Sequence, residues 1–469
     1  MLTQANLRNP LQARERFVRG LSAAILGSVL SFSAQASSQV TKDEYIREPM
    51  PAGFQVVVTD LEGPVFADAT GHTLYKWAKR DLRSGIAGEV QGKPTCGETP
   101  TRENAGLMSP YPGGLELPEV ATRPACSTVW PPVLAAADAK PVGNWTIVER
   151  SDGRKQWAFE GWALYTSILD TQAGDVNGAS LMDPEFDFGG HGALRRPITP
   201  QPNIPAQFTI NISMAGRAIE LSNGRSVYSS DRDARHKSNC NDACLDEWEP
   251  ILAADYAHAT GEWTTFERSP GVRQWAFRGM PVYRRIADTR SHSQDGGDIP
   301  GWHNVYMQKA PQLPQGFAVK DVSLGTVLGD ARGMTLYKYF CTDDAVDQLS
   351  CDYPETPQVY RLTICGGGDV NRCLQAFPYA IAPVGAKTGN RVWGTMYIDP
   401  KTGKRATAKD AGALNVWTFR GRPLYTFAGR NGYGDTKPTD ANAHRWGEFG
   451  GSRNGFQAIV YRDMFTPAT

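Results

Sequence analysis

The chain has 469 residues, of which 41% are hydrophobic and 21% charged; that is enough for about two to four domains with buried cores, and it excludes wholesale disorder. Lys+Arg and Asp+Glu each number 49, a formal net charge of zero, so there is no overall basic field to draw nucleic acid or anionic lipid. Gly (48) and Pro (32) together make about 17% of the residues, above a usual share of roughly 12%, which disfavours long helices and favours turn-rich β structure.

The first 36 residues read as an address. Arg8, Arg14, Arg16 and Arg19, opposed only by Glu15, precede an uncharged apolar stretch over 21–32, and Ser33-Ala-Gln-Ala36 places small residues around a cleavage point predicted after Ala36. This is the pattern of a secretory signal peptide. The apolar run is shorter than the ~20 residues a membrane-spanning helix needs, and no Cys stands near the cleavage point for lipidation. The expectation is a periplasmic or secreted protein without a transmembrane segment. Removing four Arg and one Glu leaves 45 basic against 48 acidic residues, a net −3, which weakens a nucleic-acid partner further.

An internal repeat dominates the rest. Trp157-x-Phe159-x-Gly161-x-x-Leu164-Tyr165, Trp275-x-Phe277-x-Gly279-x-x-Val282-Tyr283 and Trp417-x-Phe419-x-Gly421-x-x-Leu424-Tyr425 match without a gap. Each is preceded by a G-x-x-[LV]-Y half-motif, at Gly71–Tyr75, Gly224–Tyr228 and Gly333–Tyr337. Between the two lies a Cys followed by an aromatic-Pro element: Cys126 with Trp130, Cys244 with Trp248, and Cys373 with Phe377. Three tandem units are therefore placed at 50–200, 205–310 and 315–469, with Pro-rich joints at 197–205 and 311–315. The predicted fold class is all-β: three small β-sandwich or open-barrel units built from short hairpins and stapled by disulfides.

In the Trp-Phe-Gly-Tyr segment, a two-residue loop at Glu160-Gly161 places Phe159 opposite Trp162, and Gly supplies the positive φ of a type I′ turn. Pro281 and Pro423 then oppose Ala276 and Thr418, where a missing N–H is harmless on an edge strand. Asn223-Gly224 predicts a further tight hairpin. The aromatic-Pro element is expected to carry a helical turn over 133–137 and 251–254.

The eight Cys fall two, two and four across the units. The second member of each predicted pair holds the shared position, giving Cys96–Cys126, Cys240–Cys244 and Cys365–Cys373, with Cys341–Cys351 an addition in the third unit. Metal or haem binding and free redox thiols are the rival readings, but no C-x-x-C, C-x-x-C-H or zinc-type spacing occurs.

These residues resemble the secreted repeats of bacterial predicted lipoproteins, characterised by a Y-x-[FWY]-x-x-D motif. The resemblance rests on Tyr75, Trp77, Cys126, Trp130, Pro131, Pro132, Gly161, Leu164, Tyr165, Asp170, Gly174 and Asp175 in the first unit. In the third it rests on Tyr337, Tyr339, Pro423, Leu424, Tyr425, Phe427, Gly434 and Asp435. Departures are Asp81, one residue later than the motif expects, Ser230 and Arg285 in place of aromatics (Asp233 and Asp288 are kept), and Arg430 in place of Asp. The resemblance implies an envelope or secreted protein and carries no established activity.

The six repeated tyrosines (Tyr75, Tyr165, Tyr228, Tyr283, Tyr337, Tyr425) are expected to fix their hairpins by packing and a hydroxyl bond to the backbone. Two oxygen-rich loops offer weak calcium candidates, Asp170 and Asp175 in one and Asp288, Asp295 and Asp298 in the other, against a reading as ordinary Asx turns. The seven His are scattered, with His292 and His303 flanking an acidic loop. No nucleophile motif or phosphate-binding loop is present, so no catalytic residue is assigned and no cofactor is predicted. Trp130, Trp157, Trp275 and Trp417 belong to repeated core positions; Trp162, Trp263, Trp302, Trp393 and Trp446 are candidates for an exposed sugar-stacking platform. Two functions follow. One is a non-catalytic binding or structural module for an envelope protein, glycan or small ligand. The other is a redox or metal-linked accessory protein or enzyme with a diverged site in the third unit.

Overall fold

A computed structural model describes residues 44–77, 80–82, 85–87, 89–99, 101–102, 122–123, 125–179, 196–322, 325–339, 369–428 and 456–462. The protein is all-β: several small antiparallel sheets, none closed into a barrel among the described residues, with helix confined to short turns.

The same set of pairings recurs at three places along the chain. Each begins with an antiparallel hairpin: Gln55–Val58 with Pro64–Ala67, Phe208–Ser213 with Gly216–Leu221, and Ala318–Val322 with Gly325–Gly329. Each continues with a meander: Trp145–Glu149, Lys155–Phe159 and Trp162–Ala163; Trp263–Ser269, Val272–Phe277 and Met280–Pro281; Trp393–Ile398, Leu414–Phe419 and Arg422–Tyr425. The two halves meet at their tyrosines, which lie directly opposite one another as Tyr75↔Tyr165, Tyr228↔Tyr283 and Tyr337↔Tyr425.

The [LV]-Y dipeptide follows from strand geometry. Neighbouring side chains in an extended segment point to opposite faces, so Leu74 and Tyr75 enter different cores. Leu74 joins Phe66, Trp145, Trp157, Phe159 and Leu164. Tyr75 joins Cys96, Cys126, Trp130 and Tyr165. The division repeats with Val227 and Tyr228, and with Leu336 and Tyr337.

The meander turns form as their sequence predicts. Phe159 faces Trp162, and φ is positive at both loop positions, 50° and 80° at Glu160-Gly161, 51° and 80° at Arg278-Gly279, and 46° and 69° at Arg420-Gly421, the signature of a type I′ turn. Pro281 opposes Ala276 and Pro423 opposes Thr418. Met280–Pro281 is an edge strand of its sheet, whereas Arg422–Tyr425 lies between two strands; there Pro423 falls one residue before the first pair, Leu424 with Lys338.

Two expectations are corrected. Asn223-Gly224 is not a two-residue loop: Leu221 N–H bonds the Arg225 carbonyl at 2.8 Å, and only Gly224 has positive φ (78°). The loop has three residues because Gly at its last position supplies the left-handed step, an arrangement shared by Gly71 (88°) and Gly333 (84°). The segments at 133–137 and 251–254 are extended, since Val133 and Ile251 bond backbone groups of the meanders on both sides. Helical turns instead precede the aromatic-Pro element, at Cys126–Val129, Asp242–Asp246 and Val370–Ala376.

The Pro-rich stretch at 197–205 is not a free joint. Arg196–Pro197 pairs with Tyr75–Lys76, Ile198 is buried, and Tyr45 bridges Pro202. Residues 59–63 also touch distant parts of the chain: Gln308 Nε2 donates to the Thr59 carbonyl at 2.8 Å, Asp60 accepts from the Arg391 amide at 2.7 Å, and Glu62 pairs with Arg420. The buried Arg217 lies against Gly63, where no Cβ would fit, and pairs with the buried Glu44.

Candidate functional site

The two predicted disulfides Cys96–Cys126 and Cys240–Cys244 are present. Cys373 is also disulfide-bonded; Cys341, Cys351 and Cys365 lie outside the described residues. The first two bridges tie the Cys-bearing turn under the paired tyrosines, and Cys126 and Cys240 are both buried.

All six repeated tyrosines are buried, and the hydroxyls described do not bond mainly to backbone, as the sequence suggests; they donate to carboxylates. Tyr75 donates to Asp170 Oδ2 at 2.6 Å and Tyr165 to Glu89 Oε1 at 2.6 Å. Tyr228 donates to Asp288 and Tyr283 to Asp233 Oδ2, the latter at 2.7 Å. The pairing is crossed: the acid that follows each tyrosine serves the hydroxyl of the other tyrosine in the pair. Glu89 fills this role in the first copy; Asp81 lies in the strand Arg80–Leu82. Arg430 lies outside the described residues.

Asp170 and Glu89 each accept further donors from backbone. Asp170 Oδ1 accepts the Asn177 and Gly178 amides at 2.7 and 3.3 Å. Glu89 Oε1 also accepts the Thr95 and Cys96 amides. Burial pushes Asp170 up to about 7, with the Tyr75 hydroxyl and the two amides pulling it down. Burial raises Tyr75 well above the usual phenol range, and pushes Tyr283 up to about 12. Burial raises Asp288 as well, opposed by Tyr228 and Arg285.

The calcium candidates do not converge. Asp175 Oδ2 caps the Thr171 and Gln172 amides, Asp288 faces Tyr228 and Arg285, Asp295 pairs with Arg290 at 3.2 Å, and Asp298 pairs with Arg462. The first loop is an Asx-type cap that ends a hairpin; in the second the acids face tyrosine and arginine side chains. Among the described residues no group of three or more His, Cys, Asp or Glu is placed to hold a metal ion.

The proposed aromatic platform is largely internal. Trp263, Trp302 and Trp393 are buried, and Trp302 stacks on Trp248 at 3.7 Å between centroids. Trp162 is half-buried, and Trp446 lies outside the described residues. The repeat residues Trp77, Trp130, Trp157, Trp248, Trp275, Trp417 and Tyr339 are all buried, and Gly161, Gly279 and Gly421 are turn residues.

Two recurring features escape the sequence reading. Trp145, Trp263 and Trp393 open the meanders opposite Phe159, Phe277 and Phe419; Trp145 precedes Trp157 by the interval at which Trp263 precedes Trp275, a signal hidden only by an insertion before Trp417. The second is a buried Arg–Gln pair encoded by the shared string E-R-S-x-G-x-x-Q-W. Arg150 donates to Gln156 Oε1 at 2.8 Å and to the Cys96 carbonyl at 2.9 Å, while Gln156 Nε2 donates to the Leu164 carbonyl. Arg268 and Gln274 repeat this beneath Cys240. In the third copy Ile398 and Val416 take both places and join one apolar core. The buried polar pair is thus exchanged as a whole, which avoids a half-satisfied network.

What this arrangement does chemically is hold backbone in place. The acids accept donors from turns, the tyrosines bridge the two halves, and the cysteines staple the loop between them. No helix in the described residues is long and apolar enough to cross a membrane. No curated protein and no solved structure matches the chain. A family model described as a secreted repeat of unknown function matches residues 146–183, the stretch that runs from the first meander through Tyr165 and the Asp170 loop.

Proposed function

We propose that the chain is an exported bacterial envelope protein in which three tandem units, at 50–200, 205–310 and 315–469, form a non-catalytic binding or structural module. The observation that carries this reading is the fate of the repeated residues: the tyrosines and tryptophans are buried, and the tyrosine hydroxyls described are taken up by acids of the same fold. Residues that recur because they build a unit leave the exposed loops to meet an envelope protein, a glycan or a small ligand. The match of residues 146–183 to a secreted repeat and the disulfides support an oxidising compartment outside the cytoplasm. Export is read from the signal pattern, with cleavage near Ala36. The test is in two arms. N-terminal sequencing of the exported protein checks cleavage near Ala36. In-cell crosslinking of the full chain, with glycan-array binding of the mature chain, checks the module reading. Recovery of a specific envelope component or glycan supports it, and a folded chain that captures neither refutes it.

A further inference from the structure

The second copy carries a polar cluster that the first lacks. Glu220, in the strand Gly216–Leu221, is fully buried. Its Oε2 lies 2.8 Å from His292 Nδ1, and Asn211 Nδ2 lies 3.1 Å from its Oε1. A carboxylate only accepts, so this contact forms when Nδ1 carries a proton; Asn211 Nδ2, 3.3 Å from the same Nδ1, is a donor that bonds it only when the nitrogen is bare. His292 is held at φ 63°, a left-handed conformation that is uncommon for any residue but Gly, although His, with Asn and Asp, adopts it more readily than most.

The first copy shows what these positions are without the cluster. The His292 amide bonds the Gly224 carbonyl as the Gly174 amide bonds the Gly71 carbonyl, and Gly174 also has positive φ (79°). By the same register Ala67 stands where Glu220 stands, and Val57 where Asn211 does. An apolar pair and a glycine are thus replaced together by an acid, an amide and a strained histidine. A buried carboxylate costs several kcal/mol unless paired, and a left-handed histidine adds backbone strain. Local packing favours neither change alone; together they form a contact.

The contact closes residues 288–298 over an aromatic core. Gly296 in this loop sits so close to the Tyr228 and Trp248 rings that no Cβ would fit. The loop is also held by Asp288, which accepts from Tyr228, and by the Asp288 and Arg290 carbonyls, which accept from Arg225. Other charged and titratable groups lie around the contact. Arg290 pairs with Asp295, Asp288 faces Arg285, and the Tyr306 hydroxyl donates to Gln294 Oε1. Arg217, on the strand of Glu220, is turned to Glu44.

We propose that His292 and Glu220 form a pH-sensitive latch on residues 288–298, closed while the imidazole is protonated and loosened as it loses its proton. The imidazolium offsets the buried charge of Glu220, whereas neutral imidazole supplies only a hydrogen bond. The added stability is therefore present below the ordinary imidazole range, near pH ~6.5, and is lost as pH rises through and above it.

Amide hydrogen exchange on the full chain tests this, read as protection factors for residues 288–298 at about pH 5.5 and about pH 8. Wild type should lose about ten-fold in protection across that interval, with the hairpin loop at residues 150–155 of the first copy, where Arg154 holds the Asp152 carboxyl below its usual range, unchanged by comparison. Glu220→Gln and His292→Gly should each abolish the difference. His292→Gly installs the residue found at the matching position of the first copy and keeps the turn accessible, so it decides the question alone should Glu220→Gln fail to fold. A wild-type loop with no pH difference, or a variant that retains the wild-type difference, overturns the latch.

Discussion

Tyr75→Phe removes a single buried oxygen and deprives Asp170 Oδ2 of the 2.6 Å bond it accepts. Asp170 is only 5% exposed, so water does not replace the donor, and an orphaned carboxylate oxygen at such a site costs about 2–3 kcal/mol. The cost depends on pH, and its sign follows from Asp170. Its folded value is raised from 3.8 to about 7, so the protonated form contributes stability that is complete below about pH 4 and is lost as pH climbs through about 7; the shift corresponds to at most roughly 4 kcal/mol. Because the Tyr75 hydroxyl pulls Asp170 down, its removal moves the titration higher still. The gap between wild type and variant should be about 1 kcal/mol in acid, where a neutral bond is lost, and about 2–3 kcal/mol above neutrality, where a charged one is. Urea unfolding followed by tryptophan fluorescence at about pH 4.5 and about pH 8 measures it. Asp170→Asn and the double variant complete a cycle that isolates the pair. A gap below about 0.5 kcal/mol at the higher pH, or one equal at both, refutes the reasoning.

Trp263→Ala should destabilise by about 3–5 kcal/mol, because the ring is wholly buried and stacks on Phe208, whereas Trp162→Ala, at a half-buried position, should cost far less; thermal melting separates them. Gly216→Ala should cost more than the about 1–2 kcal/mol of Gly271→Ala: both have positive φ, but a Cβ at Gly216 collides with backbone atoms of Gln308, Lys309 and Ala310 and one at Gly271 meets nothing within 4 Å. Replacing Cys96 and Cys126 by Ala should cost about 3–4 kcal/mol against about 2 for Cys240 and Cys244, since the bridges span sequence separations of 30 and 4; denaturant midpoints rank them.

What the residues declare in advance is local. The meander turns, the positions of Pro281 and Pro423, and the pairings Cys96–Cys126 and Cys240–Cys244 depend on neighbours close in sequence or on a recurrent position. What they conceal is long-range. Tyr75 reaches Asp170 across 95 residues, and nothing in a Y-x-x-x-x-D spacing reveals that the acid bonds the other tyrosine. Glu89 replaces Asp81 because a strand pair intervenes between Tyr75 and the loop that brings the acid back. The burial of Trp263 and Trp393 was hidden for another reason: their interval to the next Trp is preserved in two copies and broken in the third. The Asn223-Gly224 loop shows the limit of dipeptide rules, since one residue of register converts a two-residue turn into a three-residue one.

The crossed tyrosine–acid pairs have a consequence for what counts as a foldable piece. A half holding Tyr75 and Glu89 can form neither hydroxyl–carboxylate bond, and nor can a half holding Tyr165 and Asp170; each completes the other by the same exchange, first residue to second and second to first. That reciprocity is the pattern of a two-fold symmetric dimer interface, written here within one chain. Any cut of the chain between Glu89 and Tyr165 therefore yields fragments that must find each other to fold, and two chains so cut can trade halves without losing a hydrogen bond.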